Sequence, residues 1–206
     1  MQNTITTTPK IYVACLADYN NGRLHGRWID ADQDADSIYQ EIYQMMLESS
    51  CPNVKVTVCN DCGYISHCSA GICGSCDSND VTLKASSEEW AIHDYEGFEG
   101  LSISEYESIE DVAKYAQLIE ENGEAFAAYA NNVGIDYATK EGFEESYQGE
   151  WDSEEAFAEN LADVTMEIPE RLSFYFDYEK FARELFMGDY YSADSDKHNV
   201  YVFLNI

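Results

Sequence analysis

Basic residues are scarce in this chain. Eleven Lys and Arg stand against 40 Asp and Glu over 206 residues, a formal net charge of −29. A protein that binds nucleic acid directly needs Lys and Arg for the phosphates, so no nucleic-acid partner is expected. Long apolar runs are also missing: nothing approaches the ~18–20 residues of a membrane span. The N-terminus, Met1 to Pro9, is polar and Thr-rich and has no apolar signal core. A cytoplasmic protein with no membrane partner is expected. Its seven Cys should be reduced thiols or metal ligands rather than disulfides. The motifs GxGxxG, GxxxxGK[ST] and GxSxG are absent. His25, His67, His93 and His198 are scattered, and His93-Asp94 is adjacent in sequence, which is not triad geometry by itself. Carboxylate pairs are too abundant here to point to a glycosidase. No enzyme is expected.

What is present is a foldable acidic chain. Hydrophobic residues make up 45% and aromatics 14%, with sixteen Tyr and nine Phe. Disordered acidic tails are poor in aromatics, so a packed core is expected. The charge far exceeds the magnitude of roughly 2–8 that keeps a small domain soluble. Like charge in such excess opposes compaction, which implies a use for it. It is also concentrated. Residues 86–170 hold 24 acids against Lys114 and Lys140, a net of −22, whereas residues 1–85 carry −5 and residues 171–206 carry −2.

The pattern reads as α+β. Lys10–Asp18 is expected as a strand, Asn21-Gly22 as a turn and Arg23–Asp30 as the returning strand of a hairpin. An amphipathic helix over about Ser37–Leu47 repeats Ile38, Ile42 and Met46, with Asp34 or Asp36 to cap it. Cys51–Ala85 is atypical and holds six of the seven Cys, and Glu89–Tyr95 reads as a strand. The middle is helical. Ser108 opens a helix that Gly123 ends, Glu124–Val133 stops at Gly134, and Glu141–Tyr147 stops by Gly149. Asp152 and Ser153 open a helix to about Val164, Pro169 starts a short turn, and Asp177 caps a helix that ends at Gly188. Tyr190–Ala193 and Val200–Leu204 make a closing hairpin. The expected architecture is α+β, with three small domains in series. They are a sheet-rich N-terminal domain, 1–98, with a Cys-rich insert, 51–85; a helical acidic domain, 99–145; and a mixed C-terminal domain, 146–206.

The acids fall on helix faces. Glu120, Glu121 and Glu124 lie at one helix junction, and Glu141, Glu144 and Glu145 follow i, i+3, i+4 spacing. Glu155, Glu159 and Asp163 form an i, i+4, i+8 stripe, with Glu150, Asp152 and Glu154 just before it. Carboxylates so spaced share a face and repel. A solvated acidic face is the plain reading. The magnitude suggests more: at about one charge per 1.7 Å of duplex, a net of −22 matches roughly 37 Å of DNA, the scale of a protein's footprint. Such a surface can dock into a basic groove that evolved for phosphates.

The sequence resembles the ArdA-type antirestriction proteins. The resemblance runs through Ile11-Tyr12-Val13-Ala14, the stretch Tyr19–Asp30 (YNNGRLHGRWID), and His93–Phe98 (HDYEGF). It continues through Glu124–Tyr129, Tyr147-Gln148-Gly149-Glu150, Ile168–Leu172, Phe176–Phe186 and Val200–Phe203, leaving out residues 51–85. It implies three small α+β domains, an elongated bent homodimer joined through its C-terminal domains, and mimicry of bent B-form DNA. It further implies a type I restriction-modification enzyme, at its methyltransferase core, as the partner, and carriage on mobile genetic elements.

The insert departs from that resemblance. Cys59-Asn60-Asp61-Cys62-Gly63 and Cys73-Gly74-Ser75-Cys76 form a CxxC…CxxC with ten residues between the pairs. Two such turns can present four thiolates to one tetrahedral zinc, and Gly63 suits a backbone whose amides face the sulfurs. The intervening loop is shorter than the usual spacing of about 15–20 residues. Cys68, His67 and Cys51 are spare candidates, and iron fits the same four-sulfur cage. Asp30, Asp32, Asp34 and Glu41 imitate an EF-hand, but Ala35 stands where that loop needs Gly and a strand precedes it, so a helix-capping linker is expected instead. The alternative function is a zinc-binding acidic regulator that acts through the insert.

Overall fold

The computed structural model describes residues 8–67, 71–166, 168–195 and 198–205, apart from the side chains of residues 170 and 172. Cys68, most of the Thr-rich N-terminus and two residues of the closing turn lie outside these. A sheet-rich N-terminal region, a helical middle and a mixed C-terminal region follow one another along the chain. Two compact units can be separated, residues 1–121 and 122–206.

In the first unit, β1 (Lys10–Cys15) is the centre of an antiparallel sheet between β2 (Gly26–Asp30) and β6 (Trp90–Glu96), in the order β2-β1-β6. The expected hairpin partners therefore pair, but the first strand is shorter than expected. Leu16–Asn20 is a single helical turn, α1, where the strand had been extended to Asp18. Asp18 explains the change. Its carbonyl accepts the amides of Asn21 and Arg23, and Asn21 Nδ2 donates to Ala17 O at 2.8 Å, so the chain coils before it returns. The Asp18 carboxylate is fully buried and accepts the Ser49 hydroxyl at 2.5 Å.

Helix α2 (Ala35–Leu47) begins at Asp34, whose carboxylate accepts the Ser37 amide at 2.9 Å. The acids that imitate an EF-hand thus include a helix cap. Ile38, Ile42, Met45 and Met46 are buried. A second sheet, in the order β4-β3-β5, is formed by β3 (Val54–Cys59), β4 (Ile65–Ser66) and β5 (Val81–Ser86). The Cys-rich insert is therefore a small sheet. Val56, Val58 and Ile65 form its buried apolar cluster, and Tyr43 and Leu47 of α2 pack against them. Helix α3 (Ile109–Asn122) opens at Ser108, whose hydroxyl accepts the Asp111 amide at 3.1 Å.

The second unit begins with α4 (Glu124–Val133), which lies between Gly123 and Gly134, both at positive φ. Helix α5 (Lys140–Ser146) is capped by Thr139. It ends before Tyr147, where helix had been expected, because Tyr147–Trp151 is strand β7. Gly149, at φ 107, sits where the pairing of β7 with β9 (Val200–Leu204) slips its register, a bulge that glycine accommodates. The closing hairpin of β8 (Tyr190–Asp194) and β9 thereby becomes a three-stranded sheet, β7-β9-β8. Helices α6 (Glu154–Thr165), α7 (Glu170–Ser173) and α8 (Tyr178–Leu185) complete the unit, with Ser153 capping α6 and Asp177 capping α8. Its core is aromatic. Phe143 stacks on Tyr147 at 5.0 Å between centroids, Phe203 on Tyr191 at 4.9 Å, and Phe157 meets Tyr190 edge-on at 4.9 Å.

Candidate functional site

The acidic face comes first. Ten of the twelve singled-out carboxylates are exposed: Glu120, Glu121, Glu141, Glu144, Glu145, Glu150, Asp152, Glu155, Glu159 and Asp163. Glu124 and Glu154 are half-buried. Glu120 and Glu121 belong to the first unit and the other ten to the second. Among the described residues Asp18 is the one buried acid. Helices α5 and α6 divide, with Phe143, Phe157, Ala158 and Ala162 inward and, apart from the half-buried Glu154, the acids outward.

Neutral donors hold several of these carboxylates. The Tyr201 hydroxyl donates to Glu124 at 3.1 Å, the Ser192 hydroxyl to Glu154 at 2.6 Å, and Asn199 Nδ2 to Glu150 at 3.1 Å. Such donors fix a carboxylate without cancelling its charge, as a pre-formed docking surface requires. Burial, and then the bond to Glu124, push the Tyr201 hydroxyl well above its usual range, so it stays a donor at any physiological pH.

The helix ends separate acids that aid folding from acids that do not. Glu110 and Asp111 on α3, Glu141 on α5, and Glu154 and Glu155 on α6 sit in first turns, where the helix dipole favours them. Glu120 and Asp163 sit near the C-terminal ends of α3 and α6, where the dipole opposes them, and neither helix has a basic residue in its last turn. Along the α6 stripe one charge recurs every ~6 Å, against one per ~3.4 Å of axis on each DNA strand. A single helix therefore supplies only part of a strand's charge density, and mimicry needs several faces together.

The second cluster is cysteine. The sulfurs of Cys59, Cys62, Cys73 and Cys76 all lie within 4.8 Å of one another. Cys59 and Cys76 are 3.7 Å apart, and Cys62 and Cys73 are 3.6 Å apart. A tetrahedron with metal–sulfur bonds of about 2.3 Å has edges of about 3.8 Å, so the four residues fit a tetrathiolate centre. The amides of Cys62 and Asp61 help lower the Cys59 thiol to about 7. Cys76 is pushed up to about 12: the Ser78 amide favours its thiolate, but the crowding thiols of Cys62, Cys73 and Cys59, together with burial, outweigh it. Four thiolates cannot coexist here without a cation to neutralise them. The spare candidates are placed elsewhere. His67 packs its ring on Tyr43 at 4.8 Å, and Cys51 bonds through its backbone to Ser49 and Ser87, while Cys68 lies outside the described residues. Gln40, which sequence reasoning missed, grips the insert through both ends of its carboxamide. Only the pairing of distant segments reveals it.

His93 has Glu105, at 3.9 Å, as its carboxylate neighbour, while Asp94 accepts the Tyr95 amide. His25 bonds Met45 O at 2.8 Å.

An acidic α+β chain with its carboxylates held outward is of the class that presents charge to a partner. The sequence matches the antirestriction protein (ArdA) family over residues 11–198, so the chain belongs to that family. Membership gives it an antirestriction role of the DNA-mimic type, directed at type I restriction-modification systems. No curated protein matches the chain. No helix among the described residues is long and apolar enough to cross a membrane.

Proposed function

We propose that the protein occupies the DNA-binding channel of a type I restriction-modification enzyme, at its methyltransferase core, and so blocks that enzyme's action. The single observation that carries this is the outward acidic face of α5 and α6; beside it, neutral donors hold Glu150 of β7 and the half-buried Glu154 that opens α6. The mimic surface comprises Glu120, Glu121, Glu124, Glu141, Glu144, Glu145, Glu150, Asp152, Glu154, Glu155, Glu159 and Asp163. The protein acts in the cytoplasm as a homodimer, without catalysis, and competes with DNA rather than binding it. The three-domain division 1–98, 99–145 and 146–206 accompanies this reading, with dimerisation through the last. Phe174 and Tyr175, 91% and 81% exposed, are the apolar residues most in need of a cover there.

For the four-cysteine cluster we assign zinc. Thiolate softness, tetrahedral spacing and a closed four-ligand set support it. The second reading, a zinc-binding regulator acting through the insert, rests on that same cluster. Charge reversal separates the two. Changing Glu141, Glu144, Glu145, Glu155 and Glu159 together to Lys should abolish inhibition of a type I enzyme while circular dichroism stays unchanged. Changing Cys59 and Cys62 to Ser should spare inhibition. The reverse pattern would favour the regulator.

A further inference from the structure

The two Cys-x-x-Cys turns are copies of one another. In the first, the Gly63 amide donates to Cys59 O at 3.0 Å and the Cys59 amide to Tyr64 O at 3.0 Å. In the second, the Asp77 amide donates to Cys73 O at 3.0 Å and the Cys73 amide to Ser78 O at 2.7 Å. The residue after the second cysteine is left-handed in both, Gly63 at φ 77 and Asp77 at φ 58. In the second turn the Ser75 amide also donates to the Cys73 sulfur at 3.4 Å, as an amide beside a metal-bound thiolate does. The turns are tied together as well. The Ser78 hydroxyl donates to the Asp61 carboxylate, and Asn60 Nδ2 bonds Asp80 at 2.6 Å and Thr82 at 3.0 Å.

At the base of the sheet, Gln40 of α2 behaves like a neighbouring strand. Its Nε2 donates to Ile65 O at 3.2 Å and its Oε1 accepts the Ile65 amide at 2.8 Å. Ile65 begins β4, which has only two residues and pairs with β3 as Val58↔Ile65 and Thr57↔Ser66. The turn that joins β3 to β4 is the first cysteine turn. Its closure sets the register, and the register brings Ile65 to Gln40. Val56, Val58 and Ile65, with Tyr43 and Leu47 of α2 against them, are a small apolar cluster for a sheet of this size, so a further constraint at the cysteine end is needed to close it.

We propose that one Zn²⁺ held by Cys59, Cys62, Cys73 and Cys76 builds the tip of this sheet, and that its binding is coupled through β4 and Gln40 to the seating of residues 54–86 on α2. The inference rests on the zinc assignment made above and is independent of the antirestriction reading. Gln40 is a positioning residue, acting on the metal through the β3–β4 turn. The ion neutralises charge that would otherwise drive the turns apart, and the docked base holds the turns ready for the ion.

The test uses the full chain, purified under reducing conditions without added chelator. Elemental analysis is expected to give one zinc per chain. Hydrogen exchange followed by mass spectrometry is then compared before and after zinc is withdrawn under reducing conditions. Exchange over residues 54–66 and 78–86 should accelerate by about tenfold or more, with residues 10–15 and 90–96 unchanged. Gln40→Ala should keep the stoichiometry but lose zinc several-fold more readily to a competing chelator. Gln40→Glu, which keeps an acceptor for the Ile65 amide, should fall between Gln40→Ala and the native chain. Absence of stoichiometric metal, or iron in its place, would overturn the zinc assignment. Stoichiometric zinc with unchanged exchange on its removal, or with chelator resistance indifferent to Gln40, would overturn the coupling and leave the assignment standing.

Discussion

Gly63 and Asp77 occupy equivalent left-handed positions, but only one of them is glycine. A side chain at Gly63 would meet nothing within 4 Å, so any cost of adding one is conformational. Gly63→Ala should destabilise the insert by about 1–2 kcal/mol. Asp77→Gly should stabilise it, by a smaller amount because Asp tolerates this conformation better than most residues. Thermal melts of the zinc-loaded protein, followed by zinc release, would measure both. Equal effects of the same sign would contradict the left-handed requirement. The glycine after Cys62 was legible in the sequence. The matching role of Asp77 was not, because Asp is ordinary in loops and only the repeated hydrogen bonds reveal the pairing.

At the scale of elements, two charges near helix C-termini test whether acidity here serves folding or binding. Glu120 near the end of α3 and Asp163 near the end of α6 face unfavourable dipoles. Glu120→Lys and Asp163→Lys should each raise stability by about 0.3–1 kcal/mol, measured by urea unfolding, and both should weaken capture of the target enzyme. A gain in stability with capture unchanged would remove these two residues from the mimic surface. Caps and stops made most helices legible: Ser108, Ser153 and Asp177 start them, and Gly123 and Gly134 bound α4. Strand β7 was not legible. Tyr147 follows an acidic helix without a breaker, and the partner that makes it a strand, Val200–Phe203, lies about fifty residues on. The insert's sheet was obscured in a similar way. Val54, Val56 and Val58 alternate as a strand should, but β3 takes its partner β5 from beyond the cysteines. The acidic face was legible because helix periodicity alone assigns Glu141, Glu144 and Glu145 to one side.

For the whole molecule, charge is the organising quantity, and it is unevenly used. The insert, residues 51–85, holds three acids and two Lys, so it adds almost nothing to a net of −29. A mimic built from the remainder should not need it. Dimerisation would double the length of duplex that can be imitated, and light scattering at micromolar concentration should give twice the 23.3 kDa chain mass. Full inhibition by a monomer would show that one chain's charge suffices. The complex with the target enzyme should weaken as salt rises, although less steeply than DNA's own, because protein carboxylates lack a condensed counterion layer. Affinity flat from low to high salt would remove charge as the main driving force.

The most direct measurement is displacement. The purified protein is titrated into a type I methyltransferase already bound to fluorescently labelled DNA, and anisotropy is followed. DNA mimicry predicts that the label is released in full, that the midpoint rises in proportion to added unlabelled DNA, and that the five-fold Glu→Lys variant releases none. Labelled DNA that stays bound while the protein associates with the enzyme would contradict occupation of the DNA channel.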